Sequence, residues 1–163
     1  MKILLVSDTH GNDRHLEEAI LKEYPYDYLI HCGDVEGSAD YIEEISDAPT
    51  TIVAGNMDYY DDLPKEEVLK LQGHRILVTH GHLYSVSSYL GELYSAARRR
   101  HCEAVFFGHT HQPTIDEQDG ILAVNPGSLT LPRQPGRKPS YMVIEAVIDR
   151  PLEIETKYLS KNE

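Results

Sequence analysis

The sequence predicts an α/β fold with parallel strands at its centre. Over residues 3–54, short apolar runs alternate with amphipathic stretches in the order strand, helix, strand, helix, strand. That alternation implies crossover connections and parallel pairing. The run Ile-Leu-Leu-Val at 3–6 is continuously apolar, the pattern of a strand buried on both faces. Five separate runs also end in glycine beside aspartate, asparagine or histidine. In such sheets the carboxyl ends of parallel strands line one crevice, so residues distant in sequence meet there.

Residues 3–6 form the first expected strand, ending at Ser-Asp-Thr-His-Gly. Residues 12–24 carry Leu16, Ala19 and Ile20 on one face, with Asn12 or Asp13 as N-cap and Pro25 closing the segment. Strands follow at 28–31, ending in Cys-Gly-Asp, and at 50–54, ending in Gly-Asn-Met-Asp, with a short helix at 39–45 between them. The aspartate-rich stretch 57–66, with Tyr59, Tyr60 and Pro64, reads as an irregular loop. Strands at 68–71 and 75–78 flank Gln72-Gly73-His74 as a hairpin. Ser87 or Ser88 is expected to cap a helix to about residue 101, its last turn carrying Arg98, Arg99 and Arg100 at the negative end of the dipole. Strands at 104–107 and 120–124 come next, the latter running into Asn125-Pro126-Gly127-Ser128, and 140–148 with 152–158 close the chain as an antiparallel pair.

The chain has 163 residues, enough for one core and too few for two ordinary ones, so 1–163 is expected to form a single domain. A formal charge of −12 repels nucleic-acid phosphate, which excludes a general DNA or RNA binder. Carboxylates that surround cations would reduce that working charge. Two cysteines are too few for a disulfide framework and suit a reducing compartment. The N-terminal apolar run is four residues long, too short for a signal peptide or a membrane span. A soluble cytoplasmic protein without a membrane partner is the resulting expectation.

The five strand ends deliver Asp8 and His10, then Asp34, then Asn56, then His80 and His82, then His109 and His111. This mixed oxygen and nitrogen set lacks thiolate and suits Mn, Fe, Zn, Ni or Co. Seven or eight donors exceed the needs of one ion with open positions, whereas two ions sharing a carboxylate use them all, and Asp34, alone at its strand end, is the natural bridge. Any one of these histidines alone would read as a hydrogen-bonded structural residue. The conjunction of five such strand ends carries the metal reading. His15, His31, His74 and His101 fall outside the motifs and are assigned structural or solvent-facing roles, and Cys32 reads as a small buried strand residue. Arg133, Arg137 and Lys138 lie in a Pro- and Gly-rich loop, where an anionic substrate is the minority reading beside a solvated surface loop.

The ordered set Asp8-x-His10, Gly33-Asp34, Gly55-Asn56, His80-Gly81-His82 and Gly108-His109-x-His111 resembles the calcineurin-like metallophosphoesterase superfamily, the match running from residue 8 to Ser128. Small size, Gly-Asn-Met-Asp and Asn125-Pro126-Gly127-Ser128 make it most similar to the compact YfcE-like phosphodiesterase branch. The resemblance implies a four-layer αββα sandwich of two packed mixed sheets. It implies one ion held by Asp8, His10, Asp34 and His111 and a second by Asp34, Asn56, His80 and His109, with Mn first among the metals and Ni, Zn, Fe or Co as alternatives. It also implies hydrolysis of a small or activated phosphodiester by a dimetal-bound hydroxide, with Asp34, Asn56 and His82 at the reacting centre. Many members carry a leaving-group histidine after Gly-Asn, and this chain has Met57 there, which leaves His82 to substitute. Alternatives are a non-catalytic metal-binding scaffold like the retromer subunit of the same fold, and a metal-dependent ester or amide hydrolase. A homodimer is a further expectation.

Overall fold

The computed structural model describes residues 1–161, and the single-domain expectation extends to residues 162 and 163, which lie outside the described residues. In chain order the elements are β1 (Lys2–Val6), α1 (Arg14–Glu23), β2 (Tyr28–His31), α2 (Ala39–Ser46), β3 (Thr50–Ile52), β4 (Glu66–Leu71), β5 (His74–Thr79), a 3-10 turn (His82–Tyr84), α3 (Gly91–Arg99), β6 (Ala104–Phe106), β7 (Pro113–Gln118), β8 (Ile121–Pro126), β9 (Ser140–Glu145) and β10 (Glu153–Tyr158). Two five-stranded sheets result, ordered β10-β9-β1-β2-β3 and β4-β5-β6-β8-β7. Strands β1, β2 and β3 run parallel, as do β5, β6 and β8, while β4, β7, β9 and β10 add antiparallel edges.

Alternation along each parallel strand sorts side chains into layers. Ile3 and Leu5 of β1 meet Ile76, Val78, Phe106 and Val124 of the other sheet in an inter-sheet core. Leu4 and Val6 point the other way, onto Leu16, Ala19 and Ile20 of α1 and Ile42 of α2. Leu77, Val105 and Ala123 pack on Leu93, Tyr94, Ala96 and Ala97 of α3. The molecule is thus an αββα sandwich, and the inner strands are continuously apolar because both of their faces are buried.

Differences from the sequence reading are local. The first helix starts at Arg14 with Asp13 as its cap residue, whose side chain makes no capping bond. The third helix begins at Gly91 rather than near Ser87, because Ser85 turns the chain at φ +54° and Val86 is buried instead of continuing a helix. The hairpin is present and tighter than expected, with Leu71 paired to His74 across Gln72 and Gly73, whose φ values are +51° and +82°. Strand β7 was not foreseen, since Pro-Thr-Ile-Asp-Glu-Gln is largely exposed and polar, as an edge strand can be. Among the described residues no helix is long and apolar enough to cross a membrane.

Phe106 is fully buried between the sheets, so Phe106→Ala is expected to cost ~3–5 kcal/mol in urea unfolding. A loss below about 1 kcal/mol would contradict this packing.

Candidate metal centre

The loops after β1, β2, β3, β5 and β6 gather at one end of the sandwich. Asp8 Oδ1 lies 3.1 Å from His111 Nε2, 3.7 Å from His10 Nε2 and 3.9 Å from His80 Nε2. Asp34 Oδ2 lies 3.3 Å from His80 Nε2 and 3.9 Å from His10 Nε2. Asn56 Oδ1 is 2.9 Å from His80 Nε2 and 3.0 Å from His109 Nδ1. Two groups of ligand atoms have the compactness of an ion site, Asp8 with His10 and His111, and Asp8 with Asp34 and His80, each spanning at most 4.8 Å. All seven ligand residues named from the sequence therefore adjoin one another. Asp34 stands between His10 and His80, while Asp8 sits closer to His80 than the expected division between two ions suggests. His82 stands one rank back, its ring centroid 5.4 Å from that of His80 and 6.3 Å from that of His109.

The chemistry of these contacts fits a cation. His111 Nδ1 donates to the Leu131 carbonyl at 2.8 Å and His80 Nδ1 to the Cys32 carbonyl at 2.7 Å. With the proton on Nδ1, a ring in its neutral form would turn an Nε2 lone pair inward, although without a cation the Asp34 and Asp8 carboxylates, against the effect of burial, hold His80 above its ordinary value. Those lone pairs meet other acceptors: His10 Nε2 and His111 Nε2 are 3.2 Å apart, and His80 Nε2 faces Asn56 Oδ1 and Asp34 Oδ2. Asp8 Oδ1 is buried with no hydrogen-bond partner among the described residues. Acceptors converging on acceptors, around an orphaned carboxylate oxygen, match what divalent ions bridged by oxygen and nitrogen ligands require. Glu36 Oε1, 3.0 Å from His10 Nδ1, orients that ring from behind.

The backbone is bent to make this possible. Asp8, His10, Asp34, His109 and His111 all adopt positive φ, between +49° and +71°. Gly108 allows the approach of the first loop, because a Cβ there would stand 2.1 Å from Ser7 Oγ and 2.6 Å from Asp8 Oδ2. Buried Asp58 ties the second and third loops together: its Oδ2 accepts from the backbone N–H groups of Asp34 and Gly55, each at 2.8 Å, and its Oδ1 accepts from Glu36 N–H at 2.8 Å. The end of β8 braces the remainder. Asn125 Nδ2 donates to the Gly108 carbonyl at 2.9 Å, and Ser128 Oγ donates to the Asp8 carbonyl at 2.7 Å. Asp58 and Glu36 were missed from sequence; the signal for Asp58 was its place three residues after Gly55, where an aspartate can cap its own turn.

Burial pushes the Asp8 carboxyl up, but the His111 and His80 imidazoles outweigh it and hold Asp8 below the ordinary carboxylate value. Asp34, also opposed by burial, is drawn down to about 2 by His80 and the Met57 N–H. Burial lowers His109 and His82, with His80 adding to the effect, which favours neutral imidazoles. His31 is buried beneath the second loop, its Nδ1 accepting from Gly33 N–H at 3.1 Å and its Nε2 3.0 Å from Thr9 Oγ1, and burial pushes it down to about 4.

Two outcomes follow from this scaffold. Asp58→Ala strands several buried N–H donors and is expected to lower stability by ~2–4 kcal/mol in thermal unfolding of metal-free protein; a melting temperature within 2 °C of wild type would contradict its bracing role. His31 titrates near 6.5 when unfolded and near 4 when folded, so between those values the unfolded chain binds more protons. Its contribution is fully present above pH 6.5 and fades as pH falls toward 4. From pH 7 to pH 5 wild type should lose about 2 kcal/mol more than His31→Gln in denaturant titrations, and equal losses would refute the assignment.

A family model described as the Calcineurin-like phosphoesterase superfamily domain matches residues 1–148. The probable metallophosphoesterase YsnB of Bacillus subtilis is 35% identical over 147 residues, covering 88% of this chain and 83% of that protein. The phosphodiesterase YfcE of Escherichia coli is 28% identical, covering 89% of this chain and 88% of its own. Among solved structures, a conserved Streptococcus pneumoniae protein described as a predicted phosphoesterase superposes with a TM-score of 0.84 at 30% identity, over 96% of this chain and 88% of that one. Vacuolar Protein Sorting 29 of Cryptosporidium parvum superposes at 0.74 with 22% identity, over 98% of each chain, a likeness of fold alone. With a family model covering most of its length and a relative 35% identical over nearly as much, the chain belongs to the calcineurin-like phosphoesterase superfamily.

Proposed function

We propose that this protein is a metal-dependent phosphodiesterase that hydrolyses small or activated phosphodiesters at the strand-end centre. The observation that carries this reading is the convergence of the buried Asp8 and Asp34 carboxylates with inward-turned imidazole nitrogens, a donor set without a cation of its own. The family implies divalent metal ions, and the names of YsnB and YfcE point to phosphoester chemistry. Asp8, His10, Asp34 and His111 would hold one ion and Asp34, Asn56, His80 and His109 the other, Mn being the expected metal. When bound, the ions would supply an acidified water and positive charge for the phosphoryl oxygens.

The chain's own residues supply the remaining functions. Asn56 turns Oδ1 to His80 and His109, which leaves its amide N–H groups, unpaired among the described residues, for a phosphoryl oxygen. Met57 donates its backbone N–H to Asp34 Oδ1 at 2.8 Å and exposes a thioether that has no proton to give a leaving group. His82, with Nδ1 buried and unpartnered, is the residue assigned to the leaving group or a phosphoryl oxygen. We further propose cytoplasmic residence, consistent with two buried free cysteines, and no stable nucleic-acid binding, given the charge of −12. The alternative reading, a non-catalytic metal-binding scaffold, has the likeness of fold behind it and shares the metal-competent cluster, so activity is what separates the two.

Purified protein with Mn²⁺ is expected to hydrolyse bis-p-nitrophenyl phosphate, to lose that activity on chelation and regain it on Mn²⁺ addition. Activity that survives complete metal removal would overturn the mechanism. Without a leaving-group histidine after Asn56, alkyl phosphate monoesters should turn over at least ~10²-fold more slowly than the activated diester; equal rates at matched metal would refute this reading of Met57. His82→Ala should lower kcat at least ~10-fold with little change in KM, and unchanged kinetics would remove His82 from the site.

A further inference from the structure

Beside the candidate metal centre lies a cavity of about 350 Å³, walled by Val86, Ser87, Thr110, Gln112, Thr114 and Arg133. That volume lies at the lower end of the range for small-ligand pockets. Its walls come from the two loops that carry four of the site histidines, together with Thr114 of β7 and Arg133 of the loop after β8. Thr110 sits between His109 and His111, and Val86 packs so closely on Gly81, between His80 and His82, that a Cβ there would stand 2.9 Å from Val86 Cγ2. Arg133 is anchored to the same loop, its backbone N–H donating to the His111 carbonyl at 3.0 Å.

Donors dominate this cavity. Arg133, Ser87 and Gln112 are exposed, and their side chains make no hydrogen bond or ion pair to protein among the described residues, so they are free to meet a ligand from solvent. Thr110 Oγ1 accepts from Asn125 Nδ2 at 3.0 Å and from Gln112 N–H at 3.3 Å, which leaves its O–H to donate. No carboxylate lines the space. The surrounding segment is the cationic exception in an acidic chain: no Asp or Glu occurs between Asp119 and Glu145, a stretch that carries Arg133, Arg137 and Lys138. A neutral substituent gains little from such donors, whereas a phosphate matches a guanidinium fork and adjacent hydroxyls.

We propose that this cavity binds a second anionic group, a phosphate, on one arm of the diester substrate, and that Arg133 is the specificity-determining residue for it. The inference rests on the phosphodiesterase reading and narrows it to diesters that carry a separate phosphate, as a nucleotide arm phosphorylated at its far hydroxyl does.

The test compares thymidine 5'-(p-nitrophenyl phosphate) with the same compound bearing a 3'-phosphate, both releasing p-nitrophenolate, in wild type, Arg133→Ala and Arg133→Lys. With Mn²⁺, wild type should show about five- to tenfold higher kcat/KM for the 3'-phosphorylated compound, the ratio falling to about one in Arg133→Ala and partly returning in Arg133→Lys. In parallel, calorimetry in chelator should show thymidine 3',5'-bisphosphate binding wild type about five- to tenfold more tightly than thymidine 5'-monophosphate, with the difference lost in Arg133→Ala. Absence of a gain in wild type, or a gain that survives Arg133→Ala, overturns the inference. If neither compound is hydrolysed while the Arg133-dependent binding difference persists, the phosphodiesterase reading fails and the anion cavity stands.

Discussion

Two carboxylates, Asp8 and Asp34, are buried within a few ångströms of one another's imidazole partners, and the rest of the molecule is arranged around that fact. A carboxylate withdrawn from water is costly unless charge or hydrogen bonds replace its hydration. Part of the replacement is visible. Ser7 Oγ donates to Asp8 Oδ2 at 2.6 Å, the His109 N–H donates to the same oxygen, and the Met57 N–H donates to Asp34 Oδ1. Each carboxylate thereby has one oxygen satisfied by the protein and turns the other toward the imidazoles. An electrostatic deficit in the shape of a cation site is what the fold maintains.

Maintaining it requires loops held against their own preferences. Five of the site residues lie in the left-handed region, a conformation costly for residues with a side chain and found where surrounding structure enforces it. The enforcement is distributed over both sheets. Asp58 fastens the loops after β2 and β3, His31 accepts from Gly33 N–H beneath them, and Asn125 and Ser128, at the end of β8, hold the loops after β6 and β1. Because β1, β2 and β3 are parallel in one sheet and β5, β6 and β8 in the other, all six ends point to the same place, and the inter-sheet core of Leu5, Ile30, Val78 and Phe106 fixes their mutual distance.

This division explains what could be read from the sequence. The inner strands were legible because burial on both faces leaves an unbroken apolar signature, as at 3–6. The clustering of the residues expected as ligands was legible because they follow such strands in glycine-containing turns, so topology alone brings them to one end. Strand β7 was not, since its pairing with β8 depends on backbone bonds and it presents polar side chains to solvent. The start of α3 was misplaced because two serines offered a cap that Val86, drawn into the core beside Gly81, does not allow the chain to use. Asp58 resembles any carboxylate in an acidic loop until tertiary structure aims backbone N–H groups at it. The cavity at Arg133 is likewise a product of three loops and β7 meeting, and composition records only the acid-free stretch around it.

Two cations are expected to occupy the gap between the inward-turned imidazoles, with Asp34 shared by both. Anomalous scattering at the Mn absorption edge, from crystals equilibrated with Mn²⁺, measures that directly. The expected result is two peaks ~3.5–4 Å apart, both within bonding distance of the Asp34 carboxylate, one beside His10 and His111 and the other beside His80 and Asn56. A single peak, or two peaks with Asp34 bound to neither, would contradict it.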